Sequence, residues 1–440
     1  MTLSVLDGVS SCGNVFKSGT IEVKMKKILF TLCVVVSACA VEDSGRPIDT
    51  GPDGKLVKAV SQLCALVEMR YAYFDKVSDY WNESCDRAEL EARSDGSSPQ
   101  TLDVLERLID DLYDPHVNLN TNDVTSPRLI PSGADLAFRK VDGAYRVAAI
   151  RPLTSAAEAN IEVGDQLVSF NQSTPEQMIL ERVHSGRKYI SEERKSWAIN
   201  AVIGGRYNEP RQLVLLRGGR EFVHDLGDPQ PSAPDRLLSF RKLNNSLGYI
   251  RFNNSLGADQ TVDEFNKAIA ALSETDGLIL DLRDTPGGGN TGVAEPILGH
   301  FIDIEAPYQV TAPKGAPAYE RVINPTTSTP YTEPVLVLVG RWTGSMGEGM
   351  AIGLDGMGRA TVLGSQMARL AGGTEGVELI DLGITVFLPT YDLRHLDGTP
   401  RHKWIPNGDN FLSADFGNGE DLLLNTAIER LTISKNRRIQ

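Results

Sequence analysis

Residues 278–290 read LILDLRDTPGGGN and place an apolar stretch shortly before three consecutive glycines. Such a stretch predicts a buried strand that enters a tight turn and then a helix. Because glycine has no Cβ, the backbone N–H groups of Gly287 and Gly288 can turn towards a ligand oxygen. The Gly-Lys-Ser/Thr ending of a phosphate-binding loop is missing, so an oxyanion site and a plain strand-to-helix turn are the two interpretations.

A second strand-to-helix junction lies at residues 334–349, PVLVLVGRWTGSMGEG, where Ser345 opens the helix. A serine at this position lies in the positive field of the helix N-terminus, which favours a developing negative charge. Ser345 and Glu348 also have the spacing of a capping box, in which the hydroxyl only satisfies a backbone N–H. A serine that acts only as a cap needs no histidine nearby, so the two interpretations predict different surroundings.

The chain around these junctions alternates strands with helices, which predicts an α/β domain over residues 237–435. The predicted strands are 247–252, 277–282, 335–339, 361–363 and 384–388, and the predicted helices are 262–273, 291–301 and 346–356.

Two further units precede this domain. Apolar residues at helical spacing predict a small helical domain over residues 55–125, whose second helix begins at Ser98-Pro99 and ends at Asp114-Pro115, just before His116. A lone histidine of this kind is usually structural.

Residues 130–226 predict strands and glycine turns instead of helices, and the proline-rich residues 227–236 form a linker. The stretch 145–170, with Gly164-Asp165, resembles a PDZ domain, although Asn160 stands where that family usually has glycine. PDZ-like modules bind an extended peptide by adding it to a sheet edge. A structural β-domain without a ligand is the alternative.

The N-terminal residues 25–39, MKKILFTLCVVVSAC, combine two lysines, a short apolar run and small residues before Cys39. We therefore expect residues 1–39 to be an upstream extension followed by a lipoprotein-type signal peptide, with Cys39 lipidated. A plain signal peptide or a buried apolar strand is the alternative. Residues 40–54 are polar and rich in Gly and Pro, as in a tether. The expected location is the periplasmic side of the cell envelope.

Composition narrows the range of partners. The net charge of −14 argues against a nucleic-acid binder and against attraction to anionic lipids, so membrane contact is expected only through the lipid anchor. Cys64 and Cys85 would be the cysteines left in the mature fold, and they either pair or stay as free thiols. No Cys/His cluster has zinc-ligand spacing, so no metal or cofactor is expected.

Taken together, residues 278–290, 334–349 and 112–119 (LYDPHVNL) resemble the tail-specific, or C-terminal processing, serine protease family, which is related to the tricorn protease core. The resemblance implies an α/β core of the Clp-protease/crotonase type, with Ser345 as the nucleophile. It also implies an oxyanion hole formed by the backbone N–H groups of Gly287 or Gly288 and of Met346.

The general base distinguishes two branches of that family. No lysine occurs between Ser345 and Lys403, so a Ser–Lys dyad is excluded, and the resemblance to the tricorn-like branch implies His116 as the base. That branch commonly has a glutamate after a DGTPxE-like turn, whereas residues 397–404 read DGTPRHKW and put His402 in this position. The remaining candidates for orienting the base are Glu375, Asp392 and His395.

The resemblance therefore implies an extracytoplasmic serine peptidase acting on peptides or unfolded protein segments, without a cofactor. Two alternatives stay open. A degenerate relative could bind a peptide or an apolar ligand without cleaving it, because His402 lacks the charge of a carboxylate. An esterase would use the same residues on another acyl donor. The sequence does not indicate an oligomeric state.

Overall fold

The computed structural model describes most of the chain after residue 51. The described residues are 52–93, 101–183, 190–231, 236–244, 246–253, 256–380, 382–411, 416–417 and 420–439. The described part of residues 49–440 forms one compact unit. The predicted signal peptide, Cys39, most of the tether and the predicted helix start at Ser98-Pro99 lie outside the described residues.

Three helices come first in the described chain, and a short strand follows them. They are α1 (Pro52–Arg70), α2 (Trp81–Ala92), α3 (Thr101–Asp110) and β1 (Asn118–Leu119). Helix α2 has no counterpart in the sequence prediction, and α3 ends four residues before Asp114 because the chain turns at Tyr113, which has a positive φ of 49°. Cys64 of α1 and Cys85 of α2 form a disulfide, so the two cysteines pair.

An antiparallel β-sheet with three helices follows. Its strands are β2 (Leu136–Val141), β3 (Ala144–Ile150), β4 (Gln166–Phe170), β5 (Arg211–Arg217) and β6 (Arg220–Leu226), paired in that order. The helices are α4 (Ser155–Glu158), α5 (Pro175–Arg182) and α6 (Glu192–Gly204). Buried apolar residues of α5, α6 and the sheet form one hydrophobic cluster, for example Met178, Ile199 and Leu213. We refer to residues 135–226 as the β unit.

The rest of the chain forms a mixed α/β core. Its strands are β7 (Leu238–Leu243), β8 (Leu247–Phe252), β9 (Leu278–Asp281), β10 (Asp284–Thr285), β11 (Ala306–Pro313), β12 (Tyr319–Ile323), β13 (Val335–Val339), β14 (Trp342–Thr343), β15 (Ala360–Gly364), β16 (Gly373–Leu379), β17 (Ile384–Arg394), β18 (Phe416–Gly417) and β19 (Glu420–Asp421). Its helices are α7 (Gln260–Ala271), α8 (Thr291–Leu298), α9 (Met346–Gly356) and α10 (Leu422–Ile439).

The central sheet of the core has the strand order β15-β13-β9-β8-β7. Every pair is parallel except β7 with β8. All residues of β9 and β13 are buried, as expected for strands covered on both faces, and this burial explains their nearly continuous apolar sequences. The five strands and three helices predicted for this domain are all present, with ends shifted by a few residues.

Parallel pairing brings the two strand-to-helix junctions together. Strands β9 and β13 are neighbours, so the segments after them leave the same edge of the sheet. Short strands β10 and β14 then continue the parallel pairing, with Thr285 opposite Thr343. The glycine turn and the Ser345 turn therefore lie side by side at the carboxyl edge, where α/β sheets bind ligands.

A second, antiparallel sheet connects the N-terminal helices to the core. Its order is β1-β17-β11-β12, and β16 pairs with β17. Strand β1 begins two residues after His116 and places Asn118 opposite Phe387. This pairing fixes the His116 loop to the core across a sequence separation of more than 200 residues.

The N-terminal helices share their hydrophobic core with this second sheet. Apolar residues of α1, α2 and α3 pack against Leu379 of β16 and against Val386 and Leu388 of β17. The helical unit therefore completes its core with strands that lie far along the chain. Within the described ranges, no helix combines the length and apolarity needed to cross a bilayer.

Candidate active site

Ser345 lies in a sharp turn between β14 and α9. Its backbone has φ 50° and ψ −109°, a conformation that residues other than glycine rarely adopt and that the surrounding structure must hold. The turn is held on one side by Gly344, whose N–H donates to the Thr285 carbonyl at 2.8 Å, and on the other by the first turn of α9. This geometry presents the Ser345 hydroxyl at the N-terminus of a helix.

His116 and Ser345 meet in the folded chain. The His116 Nε2 atom lies 3.1 Å from the Ser345 Oγ atom, and the histidine is only 7% exposed. The His116 backbone N–H donates to the Asp114 carboxylate at 2.9 Å, and the other oxygen of that carboxylate accepts the Tyr71 hydroxyl at 2.8 Å. The His116 loop is thus anchored to helix α1 and the turn after it, as well as to β17.

The protonation state of His116 follows from its surroundings. Burial, and then the positive charge of Arg401, lower the pKa of the imidazole to about 4. The Nδ1 atom lies 2.8 Å from the Ala371 carbonyl oxygen, which can only accept, so we assign the neutral tautomer with its proton on Nδ1. The Nε2 lone pair then points to the Ser345 hydroxyl, so His116 can accept the serine proton.

The capping interpretation of Ser345 accounts for only part of this geometry. Ser345 and Glu348 do form a capping box, in which the Glu348 carboxylate accepts the Ser345 N–H at 2.9 Å. The serine half is loose, because the hydroxyl makes no well-aligned cap hydrogen bond, whereas it lies within hydrogen-bond distance of His116. A purely structural cap would not need the histidine.

The glycine turn packs directly against the Ser345 turn. A Cβ on Gly289 would lie 2.5 Å from the Met346 Cβ, and a Cβ on Gly344 would lie 2.5 Å from the Pro286 carbonyl oxygen. Gly287 and Gly288 have φ values of 150° and 76°, which favour glycine.

The N–H groups of these two turns are available to a ligand. No described residue accepts a hydrogen bond from the N–H of Gly287 or Gly288. Met346 is the first residue of α9, so its N–H is one of those that a helix leaves without an internal acceptor. The three residues predicted for the oxyanion hole therefore lie next to Ser345 with donors to offer.

The structure does not place His402 as the partner of His116. The hydrogen bond from His116 Nδ1 goes to the Ala371 carbonyl, and neither ring nitrogen of His402 has a partner among the described residues. The His402 ring instead packs edge to face on Tyr73, with ring centroids 5.5 Å apart. Burial, and then the charge of Lys76, lower the pKa of His402 to about 4. The sequence position of the family's glutamate is thus filled by a neutral side chain that has no bond to the base.

The other residues considered as orienters have partners elsewhere: Glu375 pairs with Arg70, Asp392 accepts the Tyr73 hydroxyl at 2.6 Å, and His395 lies between Asp355 and Asp397 at 3.3 and 3.0 Å. The sequence reasoning missed Ala371, because a backbone carbonyl leaves no residue-type signal. In the described part of the chain, no group of three or more His, Cys, Asp or Glu side chains is arranged to hold a metal ion.

Comparisons with known proteins agree with this geometry at the level of family and fold. Residues 246–406 match the model of peptidase family S41. The structure of mature CPAF complexed with lactacystin is similar over 88% of this chain and 98% of that chain, with 16% identity and a TM-score of 0.55. The photosystem II D1 C-terminal processing protease is similar over 81% of this chain and 93% of that chain, with 16% identity and a TM-score of 0.53.

No curated protein sequence matches the chain. At such low identity the two solved structures establish the fold, whereas the family model covers Ser345 and both turns. The chain therefore carries a serine-type peptidase domain of family S41, the tail-specific or C-terminal processing proteases.

Proposed function

We propose that this chain hydrolyses peptide bonds by a Ser–His mechanism, with Ser345 as the nucleophile and His116 as the general base. The observation that carries the proposal is the 3.1 Å distance between Ser345 Oγ and His116 Nε2, in a histidine whose Nδ1 is held by the Ala371 carbonyl. A buried neutral imidazole in contact with a serine at a helix N-terminus is the arrangement that activates a hydroxyl.

The steps follow from these positions. As Ser345 Oγ attacks the substrate carbonyl, Nε2 accepts its proton. The negative charge that forms on the carbonyl oxygen is bound by the N–H of Met346 and by that of Gly287 or Gly288. The resulting imidazolium then donates its proton to the leaving amine, and a water molecule hydrolyses the acyl-enzyme by the same route.

A second candidate function is a weakly active or non-catalytic relative that binds a peptide or an apolar ligand. It is favoured by the absence of a carboxylate next to His116 among the described hydrogen bonds, since a neutral carbonyl stabilises an imidazolium less. The neighbouring Arg401 charge works in the same direction. An esterase is compatible with the same residues.

We also propose the domain division predicted from the sequence, with a Clp-protease/crotonase-like core, an N-terminal helical domain and a PDZ-like domain. The parallel central sheet and the separate hydrophobic cluster of the β unit support it. Edge strand β2 is the place where a PDZ-like domain would add a peptide. The Asn200 side chain already binds the N–H and carbonyl of Phe138 on that strand, at 2.9 and 3.0 Å, so a peptide there must displace it.

The proposed location is the periplasmic side of the cell envelope, with Cys39 lipidated. The lipoprotein-like residues 25–39 support it, and so does the Cys64–Cys85 disulfide, because disulfides persist in oxidising compartments. The proposed substrates are peptides or unfolded protein segments.

The test compares hydrolysis of an unfolded protein and of a small ester by the wild type, Ser345→Ala and His116→Ala. Ser239→Ala, which changes an exposed serine on β7, is the matched control. We expect the wild type and the control to cleave the protein, and both site variants to lose at least about 10³-fold in kcat/KM. Hydrolysis of the ester alone would favour the esterase, and no hydrolysis by folded wild type would favour the binding protein.

A further inference from the structure

The segment 369–372 separates Ser345 from the residues that follow β15, and it supplies the carbonyl that contacts His116. Its N-terminal half is bound to Glu348, which is fully buried on helix α9. One carboxylate oxygen accepts the Arg369 N–H at 2.9 Å, and the other accepts the Leu370 N–H at 3.2 Å. The second oxygen also accepts the Ser345 N–H at 2.9 Å. Glu348 therefore ties the segment to the Ser345 backbone.

The C-terminal half of the segment is bound to Arg401, which is 2% exposed. Its Nη2 atom donates to the Leu370 carbonyl at 3.0 Å and to the Gly372 carbonyl at 2.6 Å. These two carbonyls flank that of Ala371, which lies 2.8 Å from His116 Nδ1. The guanidinium thus fixes the peptide units on both sides of the one that contacts the base.

We infer that Glu348 and Arg401 are positioning residues, which hold segment 369–372 so that the Ala371 carbonyl orients His116 towards Ser345. The inference rests on the proposed function, in which His116 is the base. It assigns the third place of the catalytic constellation to a backbone carbonyl. Arg401 comes from the DGTPRH turn, one residue before His402, so this turn contributes to the site through its arginine.

A backbone carbonyl needs such support because its orientation depends on the dihedral angles around it. Arg369 and Gly372 both have positive φ values, 65° and 61°, so the segment bends sharply at each end. For a residue other than glycine this conformation is unfavourable without external contacts. The Arg369 side chain adds one more contact, since its Nε donates to the His402 carbonyl at 3.0 Å.

The kinetic test uses Arg401→Met and Glu348→Gln. The first removes both donors to the carbonyls, and the second replaces one acceptor oxygen with an amide that cannot accept. We expect each to lower kcat on an unfolded protein substrate by about 10- to 100-fold, with KM changed less than about 3-fold, because the base is misaligned while the substrate still binds. Arg401→Lys keeps the charge and a donor, and should recover part of kcat.

The matched control is Arg359→Met. Arg359 is also partly buried and also donates to backbone carbonyls, those of Phe301 and Tyr331 at 2.8 Å each, but it follows the far end of helix α9. This control should keep kcat within about 3-fold of the wild type. If folded Arg401→Met and Glu348→Gln also keep kcat within that limit while Ser345→Ala is inactive, the inference fails and the proposed function stands. If Ser345→Ala keeps full activity, the proposed function fails first.

A second measurement does not depend on the folding of the variants. Nitrogen-15 NMR of the histidine side chains in the wild-type protein at pH 7 reports which ring nitrogen of His116 carries the proton, with His116→Gln used for assignment. We expect the tautomer with the proton on Nδ1, donated to the Ala371 carbonyl. A proton on Nε2 would overturn the inference, because Nδ1 would then have no hydrogen to donate.

Discussion

Gly289→Ala is the substitution whose effect follows most directly from the packing of the two turns. The new Cβ would lie 2.5 Å from the Met346 Cβ and 3.0 Å from the Leu256 Cβ. Carbon atoms in contact are normally about 3.5–4.0 Å apart, so the backbones must separate by about 1 Å. Neither Cβ can rotate away, because its position is fixed by its own backbone. The glycine turn and the Ser345 turn therefore have to move apart.

The separation displaces the proposed oxyanion donors relative to Ser345. A misplacement of about 1 Å costs about 10²-fold in rate, so kcat should fall by that factor while KM stays within a few fold. The assay is steady-state hydrolysis of an unfolded protein, with the melting temperature measured in parallel.

Gly248→Ala is the matched control for overpacking in the same domain. Its Cβ would lie 2.9 Å from the Leu278 Cδ1 and 3.1 Å from the Thr275 Oγ1, on strand β8 away from both turns. We expect it to lower stability by about 1–3 kcal/mol and to leave kcat unchanged. A folded Gly289→Ala enzyme with wild-type kcat would refute the placement of the oxyanion hole between these turns.

Three further predictions concern stability and protonation. Replacing Cys64 and Cys85 with serine opens a link over 21 residues and should lower the free energy of unfolding by about 3 kcal/mol, measured in urea without reductant. NMR titration should give His116 a pKa near 4; since the unfolded imidazole titrates near 6.5, His116 should lower stability as the pH falls from 6.5 towards 4, and a titration at 6.5 would contradict its burial. Trp342 is 3% exposed and donates to two carbonyls near the β unit, at 3.1 and 2.8 Å, so Trp342→Phe should lower the free energy of unfolding by about 1–3 kcal/mol; an unchanged urea midpoint would contradict this.

The parts of the fold that the sequence predicts well are those with a strong local pattern. Strands β9 and β13 are short, nearly continuous apolar runs followed by glycine-containing turns, which is how buried parallel strands appear in a sequence. Their parallel arrangement follows from the helices between them. That arrangement is enough to predict that the glycine turn and Ser345 share one edge of the sheet.

The contact between His116 and Ser345 could be expected from the family resemblance but not from local sequence. Strand β1 has only two residues, and it pairs with β17 across most of the chain. The helical unit likewise borrows Val386 and Leu388 for its core. Such long-range pairings leave no periodic signal near either partner.

The orientation of His116 is the feature that the sequence predicts least well. His402 occupies the expected position in the motif, yet its ring packs on Tyr73 instead. The atom that contacts Nδ1 belongs to the backbone of Ala371, and any residue type supplies the same carbonyl. Only the fold of segment 369–372, bound by Glu348 and Arg401, reveals the role of that atom.

The nucleophile is tested most directly by mapping a covalent fluorophosphonate adduct on the wild-type protein by peptide mass spectrometry. We expect a single adduct on Ser345, absent from Ser345→Ala and formed much more slowly by His116→Ala. An adduct that persists undiminished in Ser345→Ala, or that maps to another residue, would contradict the assignment of Ser345 as the nucleophile.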